Sequence, residues 1–179
     1  MNILGINSVY HESAAALMVD GRLVAAVEEE RFNRIKHGKP AEFDNPHQLP
    51  ERAIRFCLKH AGLTARDIDH VGFSFDPRQR RKRYRADWWE PRLEETFRLR
   101  LGQVPGAVDE LLGRSLGQRL HFVPHHMAHA ASAYFPSGFE RAAILLPVRG
   151  GHAELLGRAV ARDALELGAG VGALLDGGE

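Results

Sequence analysis

Three histidines, at positions 125, 126 and 129, occur where a strand-like segment gives way to an alanine-rich run. Leu120 to Val123 has the pattern of a short buried strand, Pro124 is tolerated at a helix start, and the following alanines favour a helix. His125 and His129 would then lie four residues apart on one helix face, as two ligands of one metal ion require, while His126 would point elsewhere. The alternative is a polar helix start that only contacts solvent, and the spacing alone leaves both interpretations open.

The loop over residues 7–13 is a second place where chemistry could occur. It joins two apolar segments and contains His11, Glu12 and Ser13. Backbone N–H groups and serine hydroxyls could bind a phosphate, and His11 and Glu12 could act in proton transfer or in orienting a substrate. The loop has no Gly-rich phosphate motif, so a solvated hairpin loop is the alternative.

Residues 28–37 form a charged segment directly after a buried strand. Such a segment is usually a solvated face. It could also bring Arg31, Arg34, Lys36 or His37 to an anionic substrate, because a carboxyl phosphate or a nucleotide needs several cations close together.

Composition bounds the class of protein. The chain has 179 residues, enough for one domain or a piece of a larger one, and its net charge of +1 does not indicate a nucleic-acid or membrane-surface protein. The only cysteine, Cys57, cannot form an intramolecular disulfide, and we interpret it as a small buried side chain rather than a nucleophile. No segment resembles a signal peptide or a membrane span, so we expect a cytoplasmic protein with no membrane partner.

The spacing of apolar residues predicts a mixed α/β fold. An Asp20-Gly21 turn joins the second and third of three short apolar segments, which predicts an antiparallel meander. A helix over 50–61, ended by Gly62, and a strand over 68–75 follow, and this order favours parallel pairing of the fourth strand against the meander. The three expected meander strands are Asn2–Ile6, Ala14–Val19 and Leu23–Val27.

The sequence predicts the secondary structure of the second half of the chain less distinctly. Residues 92–112 predict one or two helices interrupted at Pro105-Gly106, residues 119–123 a fifth strand and residues 142–148 a sixth. The residues after 148 contain eight of the 18 glycines and no aromatic residue, which allows one or two weak strands or a helical turn near 153–161. The expected buried positions of the helical region are Leu93, Phe97, Leu101 and Val104.

The densest positive run is 78–85, and Trp88 and Trp89 follow it. Basic residues beside aromatic side chains could bind RNA. We favour a solvated insertion, because the rest of the chain lacks the spread of positive charge typical of a nucleic-acid surface.

Three stretches together resemble the O-carbamoyltransferases of nodulation-factor and antibiotic biosynthesis. They are Ile3-Leu4-Gly5-Ile6 through His11-Glu12-Ser13-Ala14-Ala15-Ala16-Leu17, then Asp20-Gly21 with Val27-Glu28-Glu29-Glu30-Arg31-Phe32-Asn33-Arg34-Ile35-Lys36-His37, and His125-His126-Met127-Ala128-His129-Ala130-Ala131-Ser132-Ala133-Tyr134. The resemblance covers residues 1 to about 146, and the joint occurrence of these motifs is more specific than any one of them.

The resemblance implies an actin-like, ribonuclease H-type α/β fold shared with the tRNA threonylcarbamoyl transferases. It also implies an enzyme that makes a carbamoyl-adenylate from carbamoyl phosphate and ATP and passes the carbamoyl group to a hydroxyl of a small molecule. His125 and His129 would bind the active-site divalent metal, expected to be iron, and His11 would act as the base beside the acceptor hydroxyl. The residues assigned to the substrate or nucleotide are Glu12, Ser13, Arg31 and Lys36.

The chain departs from the family's pattern in two ways. Val148 stands where the family carries a metal-binding aspartate, and full-length members continue for several hundred residues. We therefore expect residues 1–146 to be the N-terminal lobe and 147–179 a divergent tail, as an out-of-frame reading of the gene would produce. A chain of this kind should bind metal weakly and should be inactive or impaired alone. The alternatives are a non-catalytic half-domain completed by a C-terminal partner chain, and a tRNA-modifying relative.

Overall fold

The computed structural model describes residues 1–9, 12–40, 45–78, 91–148 and 152–160. The chain has two compact units, residues 1–125 and residues from 126 onward. The first unit is built on a five-stranded sheet whose strands are β1 (Asn2–Asn7), β2 (Ala14–Val19), β3 (Arg22–Glu28), β4 (His70–Phe73) and β5 (Leu120–Phe122).

The strand order in this sheet is β3-β2-β1-β4-β5. The first three strands form an antiparallel meander, and β4 and β5 then add in parallel to β1. Asp20 and Gly21 both have positive φ, 48° and 78°, as a two-residue hairpin turn requires. The expected mixed α/β fold with an N-terminal meander, which the resemblance also implied, is confirmed.

Helices of the first unit follow the meander. The helix α2 (Glu51–His60) begins one residue after Pro50, and Gly62 follows its end with a φ of 67°, as expected from the sequence. The predicted break at Pro105-Gly106 is wrong: the chain breaks at Gln103, and both residues lie in the first turn of the next helix, where the missing proline N–H costs no hydrogen bond. The helices are α1 (Glu30–Asn33), α2 (Glu51–His60), α3 (Pro91–Gly102) and α4 (Val104–Leu112).

One face of the sheet packs against the apolar faces of α2, α3 and α4. Leu4, Leu17 and Phe73 on the strands are fully buried in one cluster with residues of these helices, and each such side chain contributes about 1.5–3 kcal/mol. Cys57 belongs to this cluster, and burial raises the pKa of its thiol. This agrees with its interpretation as a small buried side chain rather than a nucleophile. Leu93 is 43% exposed, so its predicted burial is wrong. The helical cluster members are Ala53, Ile54, Cys57, Leu58, Phe97, Leu101, Val104, Val108 and Leu112.

A helix and a hairpin carry the chain into and through the second unit. The helix α5 (His125–Tyr134) is followed by β6 (Arg141–Val148) and β7 (His152–Val160), which pair antiparallel in a two-stranded sheet of their own. The predicted strand over 142–148 is confirmed, and of the two alternatives left open for the following segment, the strand is the one that His152–Val160 adopts. Among the helices described here, none has the length and apolar character needed to cross a membrane.

Candidate functional site

The carboxyl ends of β1 and β4 meet at one edge of the sheet, where polar side chains connect them. The Ser74 hydroxyl, after β4, donates to Asn7 Oδ1 at 2.6 Å, and Asn7 Nδ2, at the end of β1, donates to the Glu12 carbonyl at 2.8 Å. The Ser74 carbonyl lies 3.1 Å from Nδ1 of His125. The loop over residues 7–13 and His125, the first residue of α5, therefore lie at the same edge of the sheet. In α/β proteins, ligands bind at this edge.

The contact with Ser74 fixes the tautomer of His125. A carbonyl oxygen can only accept, so Nδ1 of His125 carries the proton and Nε2 presents a lone pair in the neutral ring. A metal-binding histidine is typically held this way, with its other nitrogen donating to a backbone carbonyl. The ring of His125 is half-buried and lies 6.4 Å from that of Phe75, measured between centroids.

The predicted helix start and spacing of the three histidines are confirmed. The helix α5 begins at His125, so His129 follows one turn later, while His126 and His129 are exposed. Within the described ranges, no group of three or more His, Cys, Asp or Glu side chains is placed to hold one metal ion. The metal-binding role of His125 and His129 therefore stays a prediction that rests on the helix spacing and the His125 tautomer.

A cleft of about 310 Å³ brings together four residues that the sequence assigned to the substrate or nucleotide. Glu12 and Ser13 supply one wall, from the end of the first loop, and Arg31 and Lys36 supply the other, from the charged segment after β3. Glu12 adopts a left-handed φ of 64°, which is uncommon for a non-glycine residue and often marks a functional position. The remaining lining residues are Glu28, Glu30 and His37.

Backbone hydrogen bonds hold the two walls of this cleft together. Ser13 N–H donates to the His37 carbonyl, and the Ser13 carbonyl accepts from Glu29 N–H, both at 2.9 Å. His37 N–H in turn donates to Glu30 Oε2 at 2.9 Å. The Ser13 amide is thus already satisfied within the protein, and Ser13 is only 1% exposed, so this residue shapes the wall rather than offering its N–H to a phosphate.

The cleft contains charges of both signs. Arg31 pairs with Glu28 at 3.0 Å and with Glu30 at 3.7 Å, and its side chain is 65% exposed, so these pairs stabilise the fold little. Because two carboxylates lie beside Arg31, its charge toward an incoming anion is partly compensated. Lys36 is therefore the cation on which binding of an anion in this cleft should depend most.

Glu29 is a buried structural position beside the cleft that the sequence did not indicate, since neither interpretation of the charged segment assigned it a role. It is 6% exposed, and its Oε2 accepts from the Ala53 N–H at 2.8 Å in the first turn of α2. Burial raises the pKa of this carboxyl, while the helix N–H groups favour its charged form. Glu29 thereby fixes the charged segment against α2, and a run of charges gave no signal for this burial.

Gly38 allows the two walls to approach. It has a φ of 83°, and a Cβ at this position would lie 2.8 Å from Glu29 Cβ and 2.9 Å from Ser13 Cβ. No other residue fits this position without moving one of the walls.

Lys39 is the second buried position that the sequence did not indicate, because the proline-containing segment around it has the composition of a surface loop. It is 5% exposed, and its ammonium donates to the Ser8 carbonyl at 2.7 Å, to the Ser8 hydroxyl at 3.0 Å and to the Asn45 carbonyl. Burial lowers the pKa of Lys39 to about 7. Lys39 therefore joins the first loop to the segment that precedes α2.

The lowered pKa of Lys39 predicts a specific pH dependence of stability. Between about pH 7 and pH 10 the unfolded chain binds a proton that the folded chain releases, so this group makes the free energy of unfolding rise with pH, by at most about 1.4 kcal/mol per unit. Urea unfolding at pH 7, 8 and 9 should show this rise in the native chain and its loss in Lys39→Met. Lys59→Met, at an exposed helix position, should keep it. If the free energy of unfolding depends on pH in the same way in all three proteins, the conclusion that burial lowers the pKa of Lys39 is contradicted.

Several predicted features lie wholly or mostly outside the described residues. They are His11, predicted to be the base, the stretch from 79 to 90, which holds most of the basic run and both tryptophans, and the greater part of the predicted divergent tail, from 161 to 179. Arg78, at the start of that run, pairs with Asp76 at 3.0 Å. The side chain of Val148 also lies outside the description, although its backbone belongs to β6.

Comparison with known proteins agrees with the motifs. The family model described as "Carbamoyltransferase N-terminus" matches residues 2–156. An uncharacterized protein of Synechocystis is 36% identical over 163 residues, covering 80% of this chain and 25% of that protein. Nodulation protein NolNO of Sinorhizobium fredii is 34% identical over 156 residues, covering 81% of this chain and 20% of that protein. The chain thus spans about a quarter or less of the length of these relatives. Among solved structures, YeaZ from Pseudomonas aeruginosa aligns with a TM-score of 0.47 and 18% identity over 89% of this chain and 68% of that one.

Proposed function

The chain belongs to the carbamoyltransferase N-terminus family, and on this premise we propose that it supplies the N-terminal part of an O-carbamoyltransferase active site. The observation that supports this most is the hydrogen-bonded path from the Glu12 carbonyl through Asn7 and Ser74 to His125. Through this path the loop that ends at Glu12 is connected to His125, the first residue of α5, along one edge of the sheet.

The proposed substrates are carbamoyl phosphate, ATP and a small molecule with a hydroxyl group. Lys36, with Arg31 beside it, would bind phosphate oxygens in the cleft, and the buried Ser13 and Lys39 would keep the loop in place. In the transfer step, the acceptor oxygen would attack the carbonyl carbon of a carbamoyl-adenylate, and the bond from that carbon to the AMP oxygen would break. His11 would accept the hydroxyl proton.

The metal is also a proposal, and the residues present partly fit it. His125 has the tautomer of a metal ligand, and His129 is one helical turn away. A bound divalent ion, expected to be iron, would stabilise negative charge on carbamoyl or phosphate oxygens. Two neutral imidazoles are an incomplete ligand set, so the other ligands would come from polypeptide beyond the described residues or from another chain.

A carbamoyl-transfer assay and a binding assay together test this proposal. The purified chain, given ATP, carbamoyl phosphate, ferrous ion and hydroxyl acceptors, should show no turnover, because two imidazoles without a carboxylate leave the proposed metal site incomplete. It should still bind carbamoyl phosphate, and Lys36→Ala should weaken that binding about tenfold, which corresponds to the loss of one charge-assisted contact of about 1.4 kcal/mol. Lys59→Ala, at an exposed position on α2, should bind as the native chain does. Robust turnover by the chain alone, or equal binding by both variants, would overturn the proposal.

A further inference from the structure

Two histidines outside the proposed site lie side by side on neighbouring parallel strands. His70 is the first residue of β4, and His121 lies in the middle of β5, paired in register with Gly72. Nδ1 of His70 and Nε2 of His121 are 3.0 Å apart, and the ring centroids are separated by 5.1 Å. His121 is exposed and His70 is half-buried.

The distance of 3.0 Å between the two imidazole nitrogens is compatible with two kinds of interaction. In the absence of an ion, one ring donates a hydrogen bond to the other. With both nitrogens deprotonated, the same separation suits two bonds to one metal ion: metal–imidazole bonds of about 2.0–2.1 Å place two nitrogens roughly 2.9–3.0 Å apart at a ligand angle near 90°. A tetrahedral ion would require a separation of about 3.3–3.4 Å with the same bond lengths. The pair therefore fits an ion with near-90° ligand angles, as Cu²⁺ and Ni²⁺ prefer.

The sheet fixes the backbone at the two histidines. β4 and β5 pair over three residues, and Val71 and Phe73, which alternate with His70 and Gly72 along β4, are fully buried on the opposite face. A ligand pair carried by adjacent strands over a packed core loses little freedom when it binds an ion.

The surface beside the rings has few side chains. Gly72 lies next to His121 in the register, and its partner on β1 is Gly5. A Cβ added at Gly72 would approach only Val123 Cγ2, at 4.0 Å. Water molecules could therefore occupy the remaining coordination positions of an ion at this pair.

We propose that His70 and His121 form a second metal site, separate from His125 and His129, that binds Cu²⁺ or Ni²⁺ through two imidazoles. The proposal does not depend on the proposed carbamoyltransferase function, since neither residue lines the cleft. If both proposals hold, the native chain binds metal at two sites. Metal affinity at either site must then be measured in a variant that lacks the histidines of the other.

Titration of the purified full chain with Cu²⁺ alone, followed by electron paramagnetic resonance, tests this site. The double variant His125→Asn/His129→Asn, which removes the proposed site on α5, should keep the signal, with two nitrogen ligands. Adding His121→Asn or His70→Asn to this variant should weaken the binding at least tenfold. Adding His60→Asn, at an exposed position on α2, is the matched control and should leave the binding unchanged.

Two results would overturn this site. One is equal Cu²⁺ binding by the His125→Asn/His129→Asn variant with and without His121→Asn, with both proteins folded as judged by thermal unfolding. The other is loss of the signal in the His125→Asn/His129→Asn variant, which would place the bound ion on α5. Loss of carbamoyl phosphate binding, by contrast, would count against the proposed function and leave this site unaffected.

Discussion

Replacing Gly38 by alanine is expected to lower the free energy of unfolding by about 3 kcal/mol and to separate the walls of the cleft. Alanine at a φ of 83° costs about 1–2 kcal/mol, and a Cβ 2.8 Å from Glu29 Cβ and 2.9 Å from Ser13 Cβ adds an overpacking cost of about 1–3 kcal/mol. Both neighbours are buried and held by backbone hydrogen bonds, so neither can move away cheaply. Urea unfolding measures the change.

Gly62→Ala separates the two causes. Gly62 has a φ of 67°, close to that of Gly38, but a Cβ there would meet nothing within 4 Å. We expect a loss of about 1 kcal/mol for this variant, which carries the backbone cost alone. Equal losses for the two variants would show that the close approach at Gly38 is not present in solution.

Replacing either His125 or His129 by alanine is expected to reduce Fe²⁺ affinity tenfold or more. Each substitution would remove one of only two protein ligands proposed for the ion, and a two-imidazole site without a carboxylate binds weakly from the start. Anaerobic Fe²⁺ titration by calorimetry would measure the effect, in chains that also carry His121→Asn so that the pair on β4 and β5 does not contribute.

His126→Ala is the matched control for this prediction. It removes an imidazole from the same helix at a position that lies on a different face from the other two. If His126→Ala lowers Fe²⁺ affinity as much as His125→Ala does, the ion does not select the two histidines that share one helix face, and the prediction is contradicted.

Local sequence patterns were sufficient for much of the fold. Alternation of apolar residues and the Asp20-Gly21 turn predicted the meander, and local sequence signals predicted α2 between Pro50 and Gly62, because these signals depend on neighbours in the chain. The break near Gln103 was misplaced, since Pro105 and Gly106 are as compatible with the first turn of a helix as with a loop.

The candidate site was predicted only in part, for a related reason. The residue types and their positions in the sequence indicated Glu12, Arg31 and Lys36 as candidates, and these three side chains line one cleft. The burial of Glu29 and Lys39 depends on how segments 24 and 31 residues apart fold against each other, and no local pattern reports that. The same holds for the contact between Ser74 and Asn7, which are 67 residues apart in the chain.

The proposal that this chain forms part of a carbamoyl-transfer site is tested most directly by heteronuclear NMR. Carbamoyl phosphate would be titrated into the ¹⁵N-labelled chain in the presence of ferrous ion under anaerobic conditions, with Lys36→Ala as the comparison. We expect the amide signals of Glu12, Ser13, His37 and Gly38 to shift with ligand concentration in the native chain and to shift less in the variant. Absence of any shift at these residues, or shifts confined to amides far from the cleft, would contradict the assignment of the cleft to this substrate.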